Sequence, residues 1–244
     1  MNLDDAIYPY VRGERFSNGL KVKLADVNGE SIYRIELLES LVKGKRIIHL
    51  GCLDHIPLIS SKMESNIWLH KRLDDVASRC LGVDINEDGI RYVRDQLGFN
   101  DVICGDVVKD DIPEIRDNIW DLILVGEVLE HVDNPVDFLH GIGMRYAGII
   151  RQAIITVPNA FRISNFNYAF HDMEIINSDH RYWFTPYTLW KVIDRAGLSL
   201  IDIKMCQSFR TKRPLLNRNF LDSIRILRHP ILRECIVARC QLPV

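Results

Sequence analysis

The chain has 244 residues, room for one large α/β domain or two small ones. Its 47% hydrophobic and 26% charged residues exclude a disordered or fibrous protein, and a net charge of −2 with a pI near 6.4 argues against a generic nucleic-acid or anionic-membrane binder. No apolar run approaches the ~20 residues of a membrane helix. The start, "MNLDDAIYPYVRGERF", lacks the basic region and apolar core of a secretory signal. Six cysteines (Cys52, Cys80, Cys104, Cys206, Cys235 and Cys240) show no C-x-x-C spacing, so a reducing, cytoplasmic setting is expected.

Residues 1–45 read as an N-terminal arm, with a short hairpin through "LKVKLADV" (20–27). An amphipathic helix follows in "SIYRIELLESLVKGKR", ended by Gly44. From residue 46 short apolar strands alternate with helices. "RIIHL" is a strand, "WLHKRLDDVAS" a helix, and "CLGVDI" a strand. "NEDGIRYVRDQLG" is a helix with an Asn cap and a glycine stop. "DVICGD" and "IWDLILVG" are the third and fourth strands. "NPVDFLHGIGMRYA" is a helix opened by Pro135, and "QAIITVP" the fifth strand. "PYTLWKVIDRAG" is a helix, while "LSLIDIKMC" and "ECIVARC" complete seven strands. Continuous apolar strands each followed by a helix indicate a Rossmann-like α/β fold. Its doubly wound, mainly parallel seven-stranded sheet carries helices on both faces, over residues 46–244. The stretch 159–183 is an insertion after strand five.

Ligands of such sheets sit at the strand carboxyl ends, and four successive ends here carry Gly or an acid. Gly51 follows the first strand, where a glycine lets the backbone turn and a ligand approach. Asp84 ends the second, as an acceptor for two ribose hydroxyls or as the cap of the next helix. Gly105-Asp106 ends the third, where an acid can face an adenine amino group. Gly126-Glu127 ends the fourth.

These segments resemble the class I S-adenosylmethionine-dependent methyltransferases. "RIIHLGCLDH" resembles the family's first motif, "CLGVDIN" its ribose-binding acid, "VICGDV" its adenine-side acid, and "WDLILVGEVLEHVDNP" its fourth-strand motif. The resemblance covers residues 46–207, with "ECIVARC" as the family's antiparallel last strand. It implies S-adenosylmethionine lying across the first four strand ends. Gly51 and Cys52 would face its methionine part, Asp84 and Ile85 its ribose, and Gly105, Asp106 and Val107 its adenine, with Gly126 and Glu127 beside them. The first motif departs from the family pattern. His49 stands where an acid is usual, and Leu53 and His55 replace the second and third glycines. Similar openings occur among methyltransferase-like proteins of bacterial polysaccharide gene clusters.

If a helical turn follows Gly126, Glu127, Glu130 and His131 share one face at i, i+3 and i+4. The ubiquinone-pathway O-methyltransferases and the small-RNA 3′-terminal 2′-O-methyltransferases use a similar E-x-x-E-H to hold a metal. The second group adds a ligand from a downstream D-H pair, which "SDHRYWFTPYTLW" resembles, nominating His180. Glu127, Glu130, His131 and His180 would then bind Mg²⁺ or Mn²⁺. The motif also occurs in family members without a metal. There His131 or His180, aided by Glu130, would be the catalytic base on an acceptor hydroxyl.

In 159–183 Phe161, Phe166, Tyr168, Phe170, Tyr182 and Trp183 alternate with amides and histidines, as in an acceptor lid that stacks sugars or flat polar rings. The alternative is a cap burying those aromatics. A basic run (Lys204, Arg210, Lys212, Arg213, Arg218, Arg225, Arg228, Arg233, Arg239) suits either a phosphate-bearing acceptor or a solvated face. Three functions stay open. They are O-methylation of a small-molecule, glycan or nucleotide-sugar acceptor, metal-dependent RNA ribose 2′-O-methylation, and an inactive methyltransferase-like binding or scaffold protein. The acidic pI and the lack of an RNA-binding module stand against the second. Oligomeric state leaves no mark in the sequence.

Overall fold

The apolar runs become strands in a computed structural model that describes residues 5–23, 33–208 and 220–243. In chain order the elements are α1 (Tyr8–Val11), α2 (Arg34–Val42), β1 (Arg46–Leu50), α3 (Ile56–Glu64), α4 (Leu69–Asp74), β2 (Arg79–Asp84), α5 (Glu87–Leu97), β3 (Val102–Cys104), α6 (Pro113–Arg116), β4 (Trp120–Gly126), α7 (Pro135–Arg145), β5 (Ile150–Pro158), α8 (Ile163–Ala169), α9 (Pro186–Arg195), β6 (Ser199–Cys206), α10 (Phe220–Arg228) and β7 (Cys235–Gln241). The strands form one seven-stranded sheet in the order β3-β2-β1-β4-β5-β7-β6. Pairings from β3 to β5 are parallel, and β7 runs antiparallel to both β5 and β6. This is the expected Rossmann-like doubly wound fold, with "ECIVARC" as the antiparallel last strand.

The two-residue period of a strand sorts the core. Ile48, Leu50, Ile123 and Val125 pack in one cluster with Leu139 of α7 and Trp190 of α9. Ile47, Leu122 and Leu124 pack in another with Leu38 of α2 and Leu73 of α4. The parity of β1 puts His49 with Ile47, on the α2 and α4 side. The N-terminal segment joins both layers: Tyr8 packs edge-on against Trp190, ring centroids 4.9 Å apart, and Leu38 and Val42 are buried.

Several elements differ from the expectation. Leu20 to Lys23 form no strand, and the rest of the 20–27 hairpin lies outside the described residues. Helices α3, α6, α8 and α10 come from stretches that gave no helical signal, and α4 stops at Asp74. Among the described residues no helix is long and apolar enough to cross a membrane.

Candidate active site at the strand carboxyl ends

A cavity of about 1390 Å³ opens where β1, β2 and β4 end and where the chain leaves β3. Gly51 turns out of β1 at φ +69°, and a Cβ there would lie 2.4 Å from Val128 Cγ2, so the turn and the neighbouring loop both require glycine. Leu53, at one of the family's glycine positions, has room because α5 carries Gly89, whose added Cβ would meet Leu53 Cδ1 at 2.4 Å.

Asp84 does not cap α5. That role belongs to Asn86, which accepts from the Gly89 N–H at 2.9 Å. The Asp84 carboxylate instead accepts from the backbone N–H groups of Asn86 (3.0 Å) and Leu53 (3.3 Å), tying the loops after β1 and β2 together. Ile85 beside it is 76% exposed on the cavity rim. Asp106 accepts from the N–H groups of Val108 and Lys109 and pairs with the Lys109 ammonium at 3.0 Å. Burial alone would raise its pKa, but Lys109 and the two N–H groups hold it below the usual range. Cys52 and Val107 are buried in the cavity wall beside Gly51 and Gly105.

The opposite wall corrects the sequence reading. No helical turn follows Gly126: Glu127 adopts a left-handed φ of +56°, and a tight turn closes with the His131 N–H donating to the Val128 carbonyl. The two carboxylates therefore part. Glu127 faces the Arg34 guanidinium at 3.4 Å and accepts from Thr156 Oγ1 at 3.1 Å. Glu130 is 0% exposed, and neither of its oxygens has a hydrogen-bond partner among the described residues. Burial first, and the Glu127 charge second, push its pKa up to about 8.

His180 Nε2 lies 3.9 Å from Glu130 Oε1, and the His131 and His180 rings meet edge to face at 4.7 Å. Burial, then His131, lowers the His180 pKa. His131 Nδ1 is 3.2 Å from the Asp179 carbonyl, which makes it the protonated nitrogen and leaves Nε2 as an acceptor. One ligand atom each from Glu130, His131 and His180 fall within 4.8 Å of one another; Glu127 is outside this group, so the expected metal quartet contracts to a trio. The stretch carrying His180 is pinned across the turn by the Arg181 N–H on the Glu130 carbonyl (2.8 Å) and by Tyr182 Oη on the Asp133 carbonyl (2.7 Å).

Phe161, Phe166 and Phe170 are exposed, whereas Trp183 and Arg162 line the cavity, the guanidinium 4.7 Å from the indole centroid. Of the basic run, Arg210, Lys212, Arg213 and Arg218 lie outside the described residues, Arg225 and Arg239 pair with Asp222 and Asp202, and Arg233 is buried. Arg34 gave no local signal in the sequence. As the first residue of α2 it reaches the cavity beneath Thr156, with which it shares a 3.4 Å hydrogen bond.

Residues 66–143 match the family described as "Methyltransferase domain". Solved structures with the same fold include a chain of the complex containing the Haloferax volcanii Trm112 methyltransferase activator. It is 16% identical, with a TM-score of 0.54 and 86% of this chain and 88% of that one covered. Magnesium protoporphyrin IX methyltransferase from Synechocystis, with bound S-adenosylhomocysteine, is 11% identical, with a TM-score of 0.52 over 96% and 94%. The small RNA methyltransferase HEN1 is 14% identical, with a TM-score of 0.53 over 93% of this chain and 27% of that one. No curated protein sequence matches the chain.

Proposed function

We propose that this chain is a class I S-adenosylmethionine-dependent methyltransferase, as the domain match over residues 66–143 and the fold support, and that it methylates an oxygen of a small-molecule or glycan-like acceptor such as a nucleotide sugar, in cytoplasmic polysaccharide biosynthesis. The residues present fit the cofactor. Ile85 offers an exposed apolar side chain beside the Asp84 carboxylate, which suits a base next to a ribose, and Gly51 keeps the first loop close to the backbone. When bound, S-adenosylmethionine supplies an electrophilic methyl group on a sulfonium.

The observation that carries the oxygen reading is the convergence of Glu130, His131 and His180 in the cavity wall. His180 is neutral at working pH because burial lowers its proton affinity, so it can take the proton of an acceptor hydroxyl. Glu130, 3.9 Å from Nε2 and held neutral by burial at pH 7, lies against this ring and is the carboxyl that an imidazolium formed there would draw towards ionisation. His131, its ring fixed by the Asp179 carbonyl, presents a second acceptor nitrogen. Trp183 and Arg162 offer the acceptor a flat face and a charge.

The test has two stages. Calorimetric titration with S-adenosylhomocysteine comes first, and absence of binding at millimolar ligand removes the enzyme reading in favour of a binding or scaffold protein. Methyl transfer to a panel of nucleotide sugars and glycan fragments follows. His180→Ala should lower kcat by about 10²–10⁴ while homocysteine-adduct binding stays within about twofold; unchanged turnover refutes the assignment.

A second reading uses the same trio as ligands for Mg²⁺ or Mn²⁺, which would lower the pKa of a coordinated hydroxyl, as RNA ribose 2′-O-methylation would require. Its support is the unpartnered state of both Glu130 oxygens. Thermal shift with Mn²⁺ separates the two: a rise in Tm abolished by Glu130→Ala favours the metal, and none removes it.

A further inference from the structure

Among the described residues, three side-chain polar atoms in the cavity wall outside the acceptor chemistry are buried without partners: Nε1 of Trp68, Nε2 of His49 and Nε of Arg34. His49 is 1% exposed and sits on the second-to-last position of β1, where its ring meets that of His70 on α4, Nδ1 to Nδ1 at 3.2 Å. Burial keeps both imidazoles neutral at ordinary pH, and Arg34 lies close enough to lower the His49 pKa further. A neutral pair meeting nitrogen to nitrogen shares one proton. When His49 donates it to His70, its own Nε2 carries a lone pair. Arg34 spends its Nη1 on Thr156 and Glu127, and its Nε–H has no acceptor.

An acceptor nitrogen and a charged donor, both lining the cavity at the β1 end, are complementary to an ammonium and a carboxylate on one carbon. We infer that His49 Nε2 and Arg34 Nε grip the amino-acid end of the cofactor, with His49 on its α-ammonium and Arg34 on its α-carboxylate. This rests on the cofactor assignment above. It explains how a first motif without its usual acid can serve: a neutral imidazole, buttressed by His70, accepts the ammonium N–H, while Arg34, on a helix outside the motif, complements the carboxylate. Neither atom finds a partner within the described protein, which leaves both for a ligand group to complete.

The experiment compares S-adenosylhomocysteine with 5′-methylthioadenosine, which keeps the adenosine and thioether and lacks the amino-acid end. Calorimetry on wild type should show the first binding about 10–100-fold more tightly, the value of one or two charge-assisted hydrogen bonds. Arg34→Lys keeps a cation beside Glu127 and removes the Nε–H. The double variant His49→Phe/His70→Phe removes the imidazole pair without leaving a lone buried ring nitrogen. In each, the preference should fall about tenfold or more while methylthioadenosine affinity stays within twofold. Variants that keep the wild-type ratio, or that weaken both ligands equally, overturn the inference, as does a wild type that binds the two ligands alike. A wild type that binds neither overturns the cofactor assignment with it.

Discussion

Glu130→Gln should make the protein more stable as it makes it inactive. The folded carboxyl is held at about 8 against an ordinary 4.5, by burial first and Glu127 second. The folded form therefore keeps its proton through a range where the unfolded chain loses it. The stability of the protonated group is fully present below pH 4.5 and is lost as pH rises through about 8. At ~1.4 kcal/mol per pH unit, the interval from 4.5 to 7 costs the fold on the order of 3 kcal/mol by pH 7. Glutamine has the same shape and no titration, so the Tm of the variant minus that of wild type should grow with pH. Between pH 5 and pH 7 the growth is about 5–10 °C for a domain of this size. Scanning calorimetry at pH 5, 6, 7 and 8 reads it directly. A Tm difference independent of pH, or a Glu130 carboxyl that titrates near 4.5 by carbon NMR, refutes the reasoning. Methyl transfer by the variant should drop by at least about 10² at pH 7.5.

Two further outcomes follow from the walls of the cavity. Burial pushes the His70 pKa down to about 4, so the stability present above pH 6.5 is lost as pH falls toward 4; the loss is about 2 kcal/mol by pH 5, and urea midpoints of His70→Phe should flatten that slope, an unchanged slope counting against it. Gly51→Ala places a Cβ 2.4 Å from Val128 Cγ2 at φ +69°, and should cost about 2–4 kcal/mol by urea unfolding. Adding Val128→Ala should recover only part of this loss, because the strained φ remains.

The sheet was legible because its central strands, β1, β2, β4 and β5, are largely buried on both faces and read as apolar runs. The helices that escaped notice carry weak stripes. α3 buries only Ile59 among its residues, and α8 buries only Ile163 within "ISNFNYA". The turn after β4 misled for a different reason. "GEVLEHV" has helical spacing, but the Glu127 N–H donates to the Thr156 carbonyl, prolonging the β4–β5 ladder by one residue and forcing a left-handed φ. Asn134 and Pro135 then start the helix, the first through its cap on the N–H groups of Val136 and Asp137. The cap was readable; the residue before it was governed by a strand 29 positions away. Arg34 was invisible as a site residue for a related reason, since only the strand order brings the first turn of α2 under the ends of β4 and β5.

The same topology explains where the protein leaves polar atoms unsatisfied. Among the described residues, the buried side-chain atoms without partners belong to Arg34, His49, Trp68, Glu130 and His180. All five residues line the cavity at the strand carboxyl ends. Each orphan costs about 1–3 kcal/mol, and packing error would scatter such costs through a core that is otherwise paired. Their concentration points to groups that a ligand completes. They also divide by element. Arg34, His49 and Trp68 belong to α2, β1 and the start of α4, whereas Glu130 and His180 belong to the loops after β4 and α8. A two-substrate site needs such a division, with one set holding the donor molecule and the other the acceptor. Arg34 faces both, since its guanidinium lies against Glu127, and Glu127 in turn raises the Glu130 pKa. Donor binding that draws on Arg34 would thus be felt at the carboxyl beside the proposed base, His180, through a single shared neighbour.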